Sequence, residues 1–123
     1  MAVRQSLDRN RKIVLGTAQT GNGTTTHTLD RRNYRGPGLL EIISVVGATP
    51  TVTVNIVGSQ DGLTFYNVAY ALVATPETVA VAALTITTAT TTRAILRPDH
   101  AWRFLRVDYS ANTNVTLDTQ VYS

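Results

Sequence analysis

The sequence predicts an all-β protein: an antiparallel two-sheet β-sandwich, of jelly-roll or immunoglobulin-like type, with an extended N-terminal arm. Three observations predict it. The 123 residues include 21 Thr and 14 Val, branched side chains that lose rotamer freedom in helices and pack well on a pleated surface. Apolar residues alternate with a period of two in several short runs, and no stretch carries the helical spacing of three to four. Between those runs the chain places Gly, Pro, Asn and Asp at short intervals, the punctuation of an all-β domain. Cysteine is absent, which excludes disulfide scaffolds, thiol catalysis and thiolate metal sites together.

Residues 1–11 are polar and basic without a period, and read as an arm; residues 12–123 then form one domain, a size that supports a single core. The first candidate strand is Lys12-Ile13-Val14-Leu15-Gly16-Thr17-Ala18. Thr20-Gly21-Asn22-Gly23-Thr24 is a turn, because Gly and Asn tolerate positive φ. The polar stretch from Thr24 to Leu29 suits an edge strand or a loop, and Arg35-Gly36-Pro37-Gly38 breaks the chain. Leu39 to Val46 reads as a largely buried strand ended by Gly47, with Ala48-Thr49-Pro50 as the turn after it. Thr51-Val52-Thr53-Val54-Asn55-Ile56 alternates strictly, placing Val52, Val54 and Ile56 on one face.

Gly58-Ser59-Gln60-Asp61-Gly62 is the next turn, with Asp-Gly its most turn-prone pair. A strand over Thr64–Leu72 follows, broken by Thr75-Pro76. Glu77–Ala82 and Thr85–Thr87 are weaker strands, and the threonine tract from Thr87 to Thr92 reads as a loop or an edge. Pro98-Asp99-His100 separates Arg93–Leu96 from the strand Trp102–Tyr109. A loop at Ser110–Asn114 leads to a last strand in which Val115, Leu117 and Val121 point inward.

Charge is sparse and unevenly placed. Only 15% of residues are charged, against about 25% in an ordinary soluble domain, so a surface rich in Thr, Ala and Asn is either simply solvated or meant to lie against neighbours. Residues 1–35 carry a net +5 and residues 36–123 a net −2, which sum to the formal +3. The basic character therefore belongs to the front third, a pattern typical of an arm that meets something acidic. Its candidate binding residues are Arg4, Arg9, Arg11 and Lys12, followed by the cluster Arg31, Arg32, Tyr34 and Arg35.

Chemical sites are tested and set aside. Asp99-His100 is the one acid–base neighbour pair, and it stands in an evident turn with no nucleophile in register. His27 is a lone imidazole in a threonine-rich segment, not a metal site. Ser59, Asp61 and Asn67 are too few for calcium, and Asp61-Gly62 is more simply a turn. Gly16, Gly21 and Gly23 miss the spacing of a phosphate loop. No enzyme activity, cofactor or metal is expected. No apolar run reaches the ~20 residues of a helical membrane span, and the opening residues carry no secretory h-region, so neither a membrane nor export is expected. Trp102, Arg103, Phe104 and Arg106 form a second arginine–aromatic group. In a strand, however, Trp102 and Phe104 share a face more often buried than nucleic-acid-binding, so direct nucleic-acid binding is not expected. Tyr66, Tyr70 or Trp102 could instead hold a sugar.

The stretch Thr49-Pro50-Thr51-Val52-Thr53-Val54-Asn55-Ile56-Val57-Gly58-Ser59-Gln60-Asp61-Gly62-Leu63-Thr64-Phe65, with the Trp102–Val107 strand and the alternating strand after it, resembles small structural proteins of tailed bacteriophages. The resemblance covers roughly residues 39–122, and is to head decoration (cement) proteins most of all. It implies a non-enzymatic β-sandwich that binds the outside of a capsid as a trimer, bridging capsomers and stabilising the shell. It also implies the major capsid protein as partner, a place on the virion surface, and assembly in the bacterial host cytoplasm. A tail or neck subunit and a carbohydrate-binding sandwich on the virion surface are the alternative expectations. No catalytic residues come with this family.

Overall fold

The computed structural model describes residues 12–31, 38–96 and 102–122. Every regular element among them is a β-strand. The predicted arm, with Arg4, Arg9 and Arg11, lies outside the described residues, as do Arg32, Tyr34, Arg35, Asp99 and His100.

Ten strands follow one another: β1 (Lys12–Gln19), β2 (Gly23–Thr24), β3 (Leu29–Asp30), β4 (Gly38–Ser59), β5 (Tyr66–Asn67), β6 (Tyr70–Leu72), β7 (Val79–Ala80), β8 (Leu84–Ile86), β9 (Thr90–Leu96) and β10 (Phe104–Tyr122). All pairings are antiparallel, and they join the strands into one hydrogen-bonded sheet of order β1-β10-β4-β9-β6-β7. Strands β2 and β3 add to β10, while β5 and β8 add to β4.

Two strands dominate. β4 spans 22 residues and β10 spans 19, and they pair from Phe104↔Ser59 to Tyr122↔Leu39. Here the sequence reading needs correction. Gly47–Pro50 does not end one strand and begin another, and Ser110–Asn114 is not a loop between strands. Both segments are irregularities inside continuous strands: the register of β10 on β4 shifts between Ser110 and Thr113 and again between Thr113 and Val115. Positive φ at Thr49 (47°), Ala111 (51°) and Asn114 (56°) bends the pair there, as bulges do. The bend is held by side-chain amides. Asn112 Nδ2 donates to the carbonyls of Gly21 and Val115, and Asn112 Oδ1 accepts the N–H of Val115. Asn114 Nδ2 donates to the carbonyl of Ala48 at 2.6 Å. Pro50 lies where the ladder skips from Thr51 to Val46, so its missing N–H leaves no pairing unmade.

The bend places both halves of each long strand on one core. Leu40 and Ile42 from the first half of β4, and Val52, Val54 and Ile56 from the second, are all buried. They share a cluster with Leu105, Val107 and Tyr109 from one half of β10 and Val115, Leu117 and Val121 from the other. The period-two reading of Val52, Val54, Ile56, Val115, Leu117 and Val121 therefore holds side chain by side chain. One further expectation changes: the Thr64–Leu72 strand is interrupted into β5 and β6. Thr90–Thr92 form an edge stretch of β9, paired with Ser44, Ile43 and Ile42 on one side, while β6 pairs with β9 only over Ala94–Leu96. Buried Ser44 secures that end of β9: its hydroxyl donates to the carbonyls of Thr88 and Thr90 and accepts the N–H of Thr90.

Candidate functional site

Where β4 ends, a turn is built from its own side chains. The Asp61 carboxylate accepts the N–H groups of Leu63 and Thr64 at 2.8 and 3.0 Å and the Ser59 hydroxyl at 2.9 Å. Ser59 Oγ in turn accepts the N–H of Gly62. Gly62 takes φ of 80°, a conformation that a residue with a Cβ rarely adopts. The donors hold the Asp61 carboxyl down at about 2, the Thr64 N–H contributing most and the Leu63 N–H and Ser59 hydroxyl adding to it. Asp61 is thus a turn residue, as its sequence context suggests.

The turn leads into a concentrated group of aromatics. Leu63 projects into solvent at 85% exposure. The Phe65 ring lies under the Arg106 guanidinium, 3.7 Å from its carbon to the ring centroid. Tyr66 stacks on Trp102 with centroids 5.5 Å apart and planes 25° from parallel. Phe104 carries the Arg103 guanidinium at 4.7 Å. Both phenylalanines of the chain, its one tryptophan and Tyr66 therefore gather at the end of the β4–β10 pair.

The guanidiniums are fixed by carboxylates as well as by rings. Arg103 Nε and Nη2 donate to the two oxygens of Asp30, both at 3.1 Å. This hydrogen bonding raises the Arg103 pKa, opposed by partial desolvation and helped by the Asp30 charge. Arg106 Nε donates to Asp108 at 2.9 Å. Arg31 continues the group: its N–H donates to the Arg103 carbonyl and its Nη1 to that of Trp102, while burial lowers its pKa.

Of the residues expected at a binding surface, the structure brings Arg31 together with Trp102, Arg103, Phe104 and Arg106. Arg31, from one of the two arginine–aromatic groups of the sequence, is brought to the other by the pairing of β3 with β10. Lys12 is exposed at the start of β1, opposite Tyr122, and takes no part in this group. Trp102 and Phe104 are half-buried rather than core residues, Trp102 packing against the core from its side. Tyr70 is buried with its hydroxyl donating to the Ala82 carbonyl, so its ring is closed to a ligand. The Phe65–Arg106 contact was missed because it crosses from the turn after β4 to β10.

A second polar group lies inside the sheet. Glu41 accepts Arg93 Nε at 2.9 Å on one oxygen and Gln120 Nε2 at 2.5 Å on the other, and Gln120 Nε2 also donates to the Tyr122 hydroxyl at 3.3 Å. These residues face one another through the β9–β4–β10 register. Their role is satisfaction of a buried carboxylate.

Flat ring faces combined with guanidiniums in fixed planes make a contact surface: Trp, Tyr and Arg dominate binding hot spots because they bring large area at little entropic cost. The fold defines the class as an all-β protein built on one antiparallel sheet with two long, bent central strands. A solved structure of that class, the crystal structure of SPBc2 prophage-derived protein YomS, is similar over 92% of this chain and 91% of that one, with a TM-score of 0.66 at 5% identity. At that identity the likeness shows the fold. No protein-family model matches the sequence, and no curated protein does.

Proposed function

We propose that this chain is a non-enzymatic structural protein of a tailed-phage virion, binding the outside of the capsid as a decoration (cement) protein and stabilising the shell. The observation that carries this reading is the end-to-end fold likeness to a prophage-derived protein, with which the phage-like stretch from Thr49 to Phe65 agrees. In this reading the two halves of the bent sheet act as the two layers of a sandwich. The protein works as a trimer bridging capsomers, with the major capsid protein as partner. Arg4, Arg9, Arg11 and Lys12 dock on acidic groups of the shell, where arginine forms bidentate pairs. Arg31, Arg32, Tyr34 and Arg35 form the second contact.

The test is binding of the purified chain to emptied phage heads, with and without residues 1–11. Saturable binding that the truncation abolishes supports the reading. Unchanged occupancy after truncation overturns the assignment of the arm, and no binding by the full chain overturns the capsid placement. Rings or tubes formed by the chain alone would move it to the tail or neck. The stacked pair Tyr66–Trp102, with Tyr66 56% exposed, favours a second reading, a carbohydrate-binding surface. Glycan binding abolished by Trp102→Ala would establish it.

A further inference from the structure

Asn22 helps to hold the bend of β10 from the turn between β1 and β2. Its Oδ1 accepts the backbone N–H of Asn112 at 2.9 Å, and the carbonyl of Gly21 accepts Asn112 Nδ2 at 3.0 Å. The same asparagine combines a nucleophile, an activated carbonyl and an untethered leaving group.

The nucleophile is the nitrogen of Gly23. Of the chain's 7 asparagines, Asn22 alone is followed by glycine. The other described ones precede Ile56, Val68, Thr113 and Val115, whose branched side chains crowd the nitrogen that would attack. A Cβ at Gly23 would meet nothing within 4 Å, so the backbone is open to solvent on that side, and the Asn22 side chain is exposed. The carbonyl is activated by Asn112: an N–H donated to Oδ1 draws electron density from Cγ and stabilises the negative oxygen that attack creates. The leaving group is Asn22 Nδ2, which donates to nothing among the described residues, whereas Asn112 Nδ2 donates twice and Asn114 Nδ2 is tied to the Ala48 carbonyl.

We propose that Asn22 is a site of spontaneous deamidation, through which the clamp on the β10 bend is covalently altered as the protein ages. Gly23 is paired with Tyr109, but β2 is only 2 residues long and exposed, so local opening frees its nitrogen. Hydroxide takes the Gly23 amide proton, and the nitrogen bonds to Asn22 Cγ to close a five-membered ring. The tetrahedral intermediate collapses as the Cγ–Nδ2 bond breaks, and Nδ2 leaves as ammonia with a proton from water. A second water then opens the cyclic imide. Attack at Cγ gives aspartate, and attack at the main-chain carbonyl gives isoaspartate.

The two products act differently on the bend. Aspartate keeps an oxygen for the Asn112 N–H and adds a negative charge among Thr20–Thr24, Gly47–Thr53 and Ser110–Thr116, which contain no charged residue. Isoaspartate routes the main chain through the former side chain, lengthening it by a methylene and displacing the acceptor, so the clamp is lost.

The experiment incubates the full-length chain at mildly alkaline pH and follows each asparagine by peptide mapping with mass spectrometry. Asn22 converts severalfold ahead of Asn55, Asn67, Asn112 and Asn114, to both products, at a rate that rises with hydroxide concentration. A synthetic peptide spanning residues 17–27 is run in parallel. Asn22 that stays intact in the folded chain while the peptide converts overturns the proposal, as does earlier conversion at any other described asparagine. Asn22→Gln keeps an acceptor but resists closure of the smaller ring, so the early product disappears; its persistence in that variant also overturns the site. The isoaspartate fraction, separated by chromatography, melts below both fresh protein and Asn22→Asp. Equal melting temperatures would overturn the loss of the clamp. None of these readouts involves a capsid, so they stand or fall apart from the function proposed above.

Discussion

Gly58 offers a demanding check of how the aromatic surface is anchored to the sheet. It lies in β4, paired with Leu105 on one side and Tyr66 on the other. A Cβ added there would come within 2.7 Å of Trp102 Cγ and 2.8 Å of both Trp102 Cβ and Val68 Cγ2. Two of these atoms form the root of the tryptophan side chain and cannot swing aside as a flexible tip would. Gly58→Ala must therefore displace Trp102 or spread the strands. Overpacking of this kind costs about 1–3 kcal/mol, and replacing a glycine inside a strand returns about 0.5–1 kcal/mol. The expected net loss is about 1–2 kcal/mol, a fall in melting temperature of about 4–8 °C for a chain of this length. Trp102 is the chain's one tryptophan, so intrinsic fluorescence reports both the local change and the unfolding transition. The variant should show altered emission in its folded state as Trp102 leaves Tyr66, together with the lower melting temperature. Gly38→Ala serves as the control: its nearest neighbour would be the Tyr122 carbonyl at 3.4 Å, so stability should stay within about 0.5 kcal/mol of wild type. If Gly58→Ala melted with the wild type and kept its emission, the packing of Trp102 on β4 would be refuted.

Other perturbations probe the core, the buried network and the turn. Leu117 is fully buried in the second half of β10, so Leu117→Ala should cost about 2–5 kcal/mol in urea titration; a loss below 1 kcal/mol would argue against one shared core. Glu41→Ala leaves the buried Gln120 amide without its main acceptor and should cost about 1–3 kcal/mol. Arg93→Ala should cost less, because the arginine side chain is 50% exposed and the pair is screened by solvent; the reverse order, measured by denaturant midpoints, would contradict the network. The Asp61 carboxyl, held at about 2 by the N–H groups of Thr64 and Leu63 and the Ser59 hydroxyl, is depressed below its unfolded value near 4. Its contribution is thus present above about pH 4 and is lost as pH falls through about 2. Asp61→Asn keeps an acceptor but removes the charge, so the melting-temperature gap between it and the wild type should close on acidification from pH 5 to pH 2. Parallel curves would rule the charge out.

Inward faces were legible wherever alternation was strict. Val52, Val54 and Ile56 are core residues, and so are Val115, Leu117 and Val121, because the period of two follows from backbone geometry alone. The Ser59–Gly62 turn was legible for a related reason: its hydrogen bonds are made among near neighbours. The segments around Thr49 and Asn114 were misread because Gly, Pro and Asn accommodate a bulge within a strand as readily as a turn between strands. The candidate surface was only half legible. Arg31 and Trp102 were each noticed, but in separate groups, and Phe65 was not noticed as the partner of Arg106.

The sequence by itself determined the class of structure and the inward face of each well-patterned strand. Branched side chains, alternation and turn residues act locally and carry their meaning without a partner. Only the tertiary structure decided that β4 and β10 run continuously through their bends, that Glu41 lies between Arg93 and Gln120, and that Arg31, Phe65, Tyr66 and Trp102 share one surface. Those outcomes depend on the register between strands far apart in the chain. Register is set by how two patterned faces fit together around one core, a property of the pair that neither strand carries alone.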